Sequence, residues 1–484
     1  MNKNAFLLCL TSICVLCSVS FYLLRENNTD KSTEKLRQKH KFFLDNSPYK
    51  NNKGLSKKER SDFGLPPNGY YEQVWELTID PKTGEPMPEK LLKLQYELKQ
   101  QRVLARGVGG SETNPWIDRG PNNIGGRTRG IMFDPNDTDN KRVFAGGVSG
   151  GLWVNEDITN SNSAWTQVTG IDANISVTTI IYDPNDTSTF YIGSGESYVS
   201  GNAVGRGIWK STDGGVNWAN IFGGPDGTIS HSGQLVNGVF YINDIVARDV
   251  AGTTELYATV AGGHYSQSGN INQFQGLSDQ GLYRSIDGGS NWNRNTDSDL
   301  KEGQFYANPN DIELDINNNI WVTTTRSYWG YPGGKILKST NGINFSLEHT
   351  VASANRTELE TSNLDANKFW IVTANSSTKV ADIFFTDDAF ANVSTLPKPN
   401  DVDTEIPSSD YTRGQAFYDL PIEVDSNDNL FVGGIDLFRS KDEGNTWTQI
   451  SKWSNNNNLA TLQVPQVHAD HHAIVFRPGK GNEG

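Results

Sequence analysis

The sequence predicts an all-β chain folded as a β-propeller, on three observations. A turn motif recurs, an apolar strand precedes nearly every copy, and the copies are spaced widely enough for one four-stranded sheet each. The intact copies are Ser211-Thr212-Asp213-Gly214-Gly215-Val216-Asn217-Trp218, Ser285-Ile286-Asp287-Gly288-Gly289-Ser290-Asn291-Trp292 and Ser440-Lys441-Asp442-Glu443-Gly444-Asn445-Thr446-Trp447. Weaker copies stand at 339–345 and 386–390, and a decayed one runs from Asn155 to Trp165. The Ser hydroxyl and Asp carboxylate cap the backbone of a tight turn. The Gly takes a positive φ, and the Trp opens the next strand and buries its ring between sheets.

The elements follow in order. Lys3 precedes an apolar run from Ala5 to Leu24, with Ser18-Val19-Ser20 as a small-x-small site. This reads as a signal peptide over 1–24, with an uncleaved anchor as the rival, and either exports the rest. Residues 25–62 form a polar tether. An N-terminal extension fills 63–114, with an extended stretch over Tyr70–Ile79, a turn at 80–84 and one helix over Pro88–Val103 striped by Leu91, Leu94 and Leu98. The propeller occupies 115–484 as six full blades and an unfinished seventh. The first opens at Arg127, the third near Asn243, the fifth near Arg356, and the seventh at His468, ending after one strand. Such an end would leave a sheet edge open, so the sequence reads as part of a longer chain or as a ring closed from its N-terminal piece.

Ser-x-Asp-x-Gly-x-x-Trp after an apolar strand resembles the Asp-box, or BNR, repeat shared by sialidases, sortilin ectodomains and glycan-cleaving propellers. The stretch Trp116–Arg127 and Val467-His468-Ala469-Asp470-His471-His472-Ala473 resemble large exported sortilin-like propellers of Bacteroidetes type, many described as glycosyl hydrolases. The resemblance covers about 63–484. It implies more blades and a sorting domain downstream, and in sialidases an arginine trio, a Tyr/Glu nucleophile pair and an Arg-Ile-Pro signature. No Arg-Ile-Pro occurs here. Arg127, Arg129 and Arg413 are the arginines that would have to gather.

Composition excludes several classes. A net charge of −14 argues against nucleic acid as the partner. The three cysteines, Cys9, Cys14 and Cys17, all lie in the N-terminal apolar segment, so a cleaved chain has no disulfide and no thiolate nucleophile. The Asn/Asp-rich turns at 317–319 and 427–429 fit hairpin chemistry better than calcium loops, because no EF-hand spacing is present. No cofactor is expected, and the chain is read as a monomer that meets a membrane only through its N-terminal segment.

In a propeller, the loops entering each innermost strand and those joining strands two and three share one face, and the turn motifs lie on the other. That places Asp213, Asp287 and Asp442 in structural roles. The long loops of blades two to four carry Glu196 and Tyr198, His264 and Tyr265, and Tyr328 and Trp329, suited either to stacking on sugars or peptides or to loop packing. Aligning the innermost strands on Ile131, Ile180, Ile312, Ile422 and Ile474 sets Arg127, Tyr418 and Asp470 at one depth, and Arg129, Asn310 and His472 two residues on. A polar ring at the channel mouth results. His468, Asp470 and His472 point one way along a strand, but residues two apart on one strand converge poorly on one ion, so no metal is assigned.

Two functions of different class follow. One is a non-catalytic propeller binding a glycan or extended peptide through Arg127, Arg129, Tyr198, His264, Tyr265, Tyr328, Trp329, Tyr418, His468, Asp470 and His472. The other is a glycoside hydrolase of sialidase or xyloglucanase type, with carboxylates drawn from Glu196, Asp419, Glu423 and Asp470. A sortilin-like scaffold for exported proteins is the third.

Overall fold

The computed structural model describes residues 126–198, 203–225, 235–267 and 271–479, with scattered positions between 35 and 100. It divides into two compact units, Met1–Gln95 with Gln267–Ile271, and Tyr96–Ser266 with Asn272–Gly484.

In the first unit, the helix Lys57–Asp62 starts on a capping box. The Glu59 N–H donates to the Ser56 hydroxyl at 3.3 Å, and the Ser56 N–H donates to Glu59 Oε2 at 2.8 Å. Arg60 pairs with Glu72. Described residues inside the expected tether (35, 38, 39, 41, 42 and 45) are helical, and so are 72 and 73 inside the expected extended stretch. That stretch is a strand only at Ile79–Asp80, which pairs with Glu85–Pro86 across the expected turn. The leader and most of the 88–103 helix lie outside the described residues.

The second unit is nearly all β. Six four-stranded antiparallel sheets follow one another, each in simple sequence order. Their first strands are β1 (Thr128–Phe133), β2 (Val177–Asp183), β3 (Tyr241–Val250), β4 (Asn308–Leu314), β5 (Ala354–Thr361) and β6 (Ile422–Val424). Each of the first five lies beside the first strand of the next sheet. All six, with residues 472–475, line one polar channel of about 220 Å³. This is propeller-type architecture.

The second strands carry the core. Phe369–Asn375 is buried at six successive positions because neighbouring sheets cover both of its faces. Among the described residues, five of the six apolar clusters bridge two consecutive sheets. Met132, Phe144, Ile180, Phe190 and Trp209 join the first to the second, and Trp370, Ile383, Leu420 and Phe438 join the fifth to the sixth. Burying such a large side chain contributes about 1.5–3 kcal/mol.

The recurrent turns cap themselves. Ser211 Oγ donates to Asp213 Oδ1 at 2.8 Å, and Asp213 Oδ1 accepts the N–H of Val216 and of Asn217. Asp287 and Asp442 repeat the pattern through Ser285 and Ser440. Gly215, Gly289 and Gly444 have φ of 86°, 89° and 95°. Trp218 is buried and donates to the Gly215 carbonyl; Trp292 and Trp447, partly buried, pack against the clusters their own sheets form with the preceding ones. The copy at 386–390 keeps the cap, although Phe390 must adopt φ 71°.

The expected strand at 468 is not a strand. Residues 468–476 carry no ladder. The His471 N–H donates to the Gly434 carbonyl, Phe476 meets Phe431 edge-on at 5.0 Å, and Arg477 donates to the carbonyls of Asp139 and Asn140. The segment thus touches both the sixth sheet and the first.

Candidate functional site

The residues at the channel mouth form an alternating stack. Arg127 lies 5.1 Å from the Tyr418 ring and Arg129 lies 4.5 Å from it. Arg129 is also 4.6 Å from the Tyr198 ring, and Arg356 is 4.0 Å from Tyr198. The order is therefore Arg127, Tyr418, Arg129, Tyr198, Arg356. Ring faces are negative and guanidiniums are planar cations, so each neighbour stabilises the next.

Polar contacts fix the stack. Arg129 Nε donates to Glu196 Oε1 at 2.6 Å, and its Nη2 donates to the Tyr418 carbonyl at 3.1 Å. Arg356 donates to the same carbonyl at 2.7 Å and pairs with Glu358. The Tyr198 hydroxyl donates to Asn310 Oδ1, whose amide donates to Glu358 and the Thr357 carbonyl. Burial raises the Tyr198 pKa, and burial pushes that of Tyr418 up to about 12, so both rings stay neutral.

Two clefts flank this ridge. One, of about 560 Å³, is lined by Gly126, Arg127, Thr128, Gln415, Tyr418 and residues 468–473. There His472 Nδ1 lies 2.9 Å from Asp419 Oδ1, and both side chains are at most 4 % exposed. Burial first, then the neighbouring Asp470 charge, raises Asp419 to about 7. Burial first, then Arg129, lowers His472 to about 3. His472 is neutral at pH 7, and the Asp419 carboxyl behind it retains much of its proton. Asp470 accepts from Gln415 Nε2 at 3.0 Å and has φ 71°, in the left-handed region that Asp tolerates better than most side chains.

The other cleft, of about 320 Å³, is lined by Tyr198, Phe274, Arg326, Tyr328, Arg356 and Phe417, among others. His264, Phe274 and Tyr328 form a ring trio with centroids 5.0–5.8 Å apart. Tyr328 and Phe417 are exposed.

Of the residues singled out from the sequence, the structure brings Arg127, Arg129, Tyr198, Tyr418, Asp419, Asp470 and His472 together at the mouth, with His468 exposed on the first cleft. Others stand elsewhere. Glu196 is buried and neutralised by Arg129. Glu423 lies down the channel. Trp329 stacks on Phe305 at 4.3 Å and donates to the Leu277 carbonyl, so it packs its loop. The Tyr265 side chain lies outside the described residues. Arg413 stays exposed beside Glu405, away from the stack, whose third arginine is Arg356. The alternation Arg356-x-Glu358-x-Glu360 in β5 was the available signal for the residues missed there.

Deeper in the channel, Asp244, Asp311 and Glu313 bring ligand atoms within 4.8 Å of one another. Burial raises Asp244 to about 7 and Glu423 to about 8, and it holds Asp311, Glu313 and Glu360 well above the usual carboxylate range.

No family model matches the sequence. A curated relative, the xyloglucanase Xgh74A of Acetivibrio thermocellus, is 30% identical over 182 residues, covering 28% of this chain and 20% of the relative. The chain thus spans about a fifth of the length of that relative. Among solved structures, the GH74 xyloglucanase of Xanthomonas campestris is 14% identical with a TM-score of 0.41, covering 65% of this chain and 45% of its own. YCF48 of Cyanidioschyzon merolae is 14% identical with a TM-score of 0.38, covering 67% and 84%. The sequence match relates part of the chain to a glycoside-hydrolase propeller, and the six sheets carry the architecture on their own.

Proposed function

We propose that this chain is an exported, carbohydrate-active propeller that holds a polysaccharide across the two clefts and hydrolyses a glycosidic bond at the mouth. One observation carries this reading. Asp470 and His472 line one cleft beside Tyr418, with Asp419 buried directly behind His472, so a carboxylate and a separate proton source are neighbours at one wall. The partial identity to a xyloglucanase supports it.

In this reading, Asp419 supplies a proton through His472 to the departing glycosidic oxygen, while the Asp470 carboxylate assists the attacking water on the sugar carbon. The exposed Phe417 and Tyr328 stack on sugar rings. The purified chain is incubated with soluble polysaccharides, xyloglucan among them, and new reducing ends are measured. Release that disappears in Asp470→Asn and falls at least a hundredfold in His472→Gln is expected. A chain that binds a polysaccharide but releases nothing, with Asp470→Asn binding equally well, overturns hydrolysis in favour of a binding module. That second reading is favoured by the complete burial of Asp419.

A further inference from the structure

We infer that residues 468–477 form a strap that opens and closes the first cleft, and that Arg477, at the end farthest from the mouth, holds it shut. The strap decides how the cleft is built rather than what the cleft holds, so its opening is read without any ligand.

The strap runs the depth of the channel. Residues 468–473 form a wall of the cleft at the mouth, residues 472–475 line the channel, and Arg477 reaches the turn between the first two strands of the first sheet. Between these ends there is no ladder. Among the described residues, the backbone N–H groups of 472–476 donate to no acceptor, so no strand partner holds that stretch. Segments with so few backbone bonds open before packed sheets do.

A small set of contacts at three depths holds the strap in place. At the mouth, the His471 N–H donates to the Gly434 carbonyl at 3.0 Å, and His472 pairs with Asp419 and meets the Tyr418 ring edge-on at 4.5 Å. Lower down, Phe476 packs on Phe431. At the turn face, Arg477 Nε donates to the Asn140 carbonyl at 2.5 Å and Nη2 donates to the Asp139 carbonyl at 2.8 Å. The first two sets fasten the strap to the sixth sheet and the loop before it. Of these contacts, only the Arg477 pair reaches the first sheet. The opposite wall of the cleft, Arg127 and Thr128, belongs to that first sheet. Releasing Arg477 therefore separates the two walls from a point remote from either.

The test compares the parent with Arg477→Ala by hydrogen exchange and by diethyl pyrocarbonate modification of histidine, both read by mass spectrometry. His472 is the reporter, because its side chain is only 4 % exposed. His468, exposed at the start of the strap, is the reference. In the variant, modification of His472 and exchange of the His471 amide should each rise about tenfold or more, since a hydrogen bond from a charged donor is worth at least that factor. Modification of His468 and exchange across Phe369–Asn375 should stay at the parent's level. Arg477→Lys, which keeps the charge but not the two-pronged donor, should fall between. Unchanged rates at His472 and His471 overturn the inference. Acceleration that extends equally to Phe369–Asn375 also overturns it, because the strap would then open only with the whole fold. A chain that neither binds nor cleaves a polysaccharide leaves these rates untouched and removes the proposed function instead.

Discussion

Replacing Arg129 with methionine removes the cation at the centre of the mouth stack while keeping most of its volume. The partner, Glu196, is fully buried, its Oε1 sits 2.6 Å from Arg129 Nε, and its Oε2 has no partner. Breaking a buried pair from one side costs about 3–5 kcal/mol, because the remaining charge stays in a poorly solvated place. Two ring contacts are lost as well, at about 0.5–1 kcal/mol each. The Tyr418 carbonyl keeps its bond from Arg356, so it adds little. The expected loss is about 4–7 kcal/mol. Glu196→Gln removes the acid, and the guanidinium it leaves retains the Tyr418 carbonyl and both rings; its loss should be about 1–3 kcal/mol. The double variant should then lose at least about 2 kcal/mol less than the sum of the two. Urea unfolding followed by tryptophan fluorescence measures all three, provided the slopes agree. A loss below about 1 kcal/mol for Arg129→Met, or strict additivity, would refute the claim that this pair organises the mouth.

Three further outcomes are expected. The turn carboxylates Asp213 and Asp287 are lowered to about 2, chiefly by hydrogen bonds from Asn217 and Asn291, with Asp442 lowered through Thr446. Their contribution is present above the unfolded carboxylate value near 4 and is lost as pH falls towards 2, so melting temperature should drop across that range. Asp213→Ala with Asp287→Ala should flatten the drop. In the channel the sign reverses: burial raises Glu423 to about 8, so its protonated form favours folding and that stability fades as pH rises from about 4 to 8. Glu423→Gln should raise the melting temperature at pH 8.5 and leave it nearly unchanged at pH 4. Finally, Gly195 has φ 91°, and a Cβ there would sit 2.0 Å from the Phe240 carbonyl oxygen. Gly195→Ala should destabilise by about 2 kcal/mol or more and abolish ligand binding by displacing Glu196, as read by melting and calorimetry.

The repeated turns made the sheets legible before any coordinates, because Ser, Asp, Gly and Trp each leave a separate physical trace in sequence. Depth alignment on the apolar residues of the first strands was equally informative for Arg129, Asn310 and His472, since a strand fixes which side chains share a level. Arg356 and Glu358 escaped because no motif marks them; only their alternation within β5 does. The packing of Trp329 on Phe305 escaped for another reason: Phe305 is brought to it by a separate loop, and no local pattern reports such a meeting. The 468–476 segment reads as a strand by alternation, yet strands need partners, and the described residues offer it no ladder.

The five members of the cation and ring stack come from stretches that begin at Arg127 and end at Tyr418, almost three hundred residues apart. No fragment holding only the early or only the late sheets contains it. Assembly of the stack therefore needs the first described sheet and the stretch just before the sixth together, and either one alone leaves it incomplete. Formation of the stack would consequently report that the stretch around Tyr418 has reached the first sheet, which a spectroscopic count of β content cannot do.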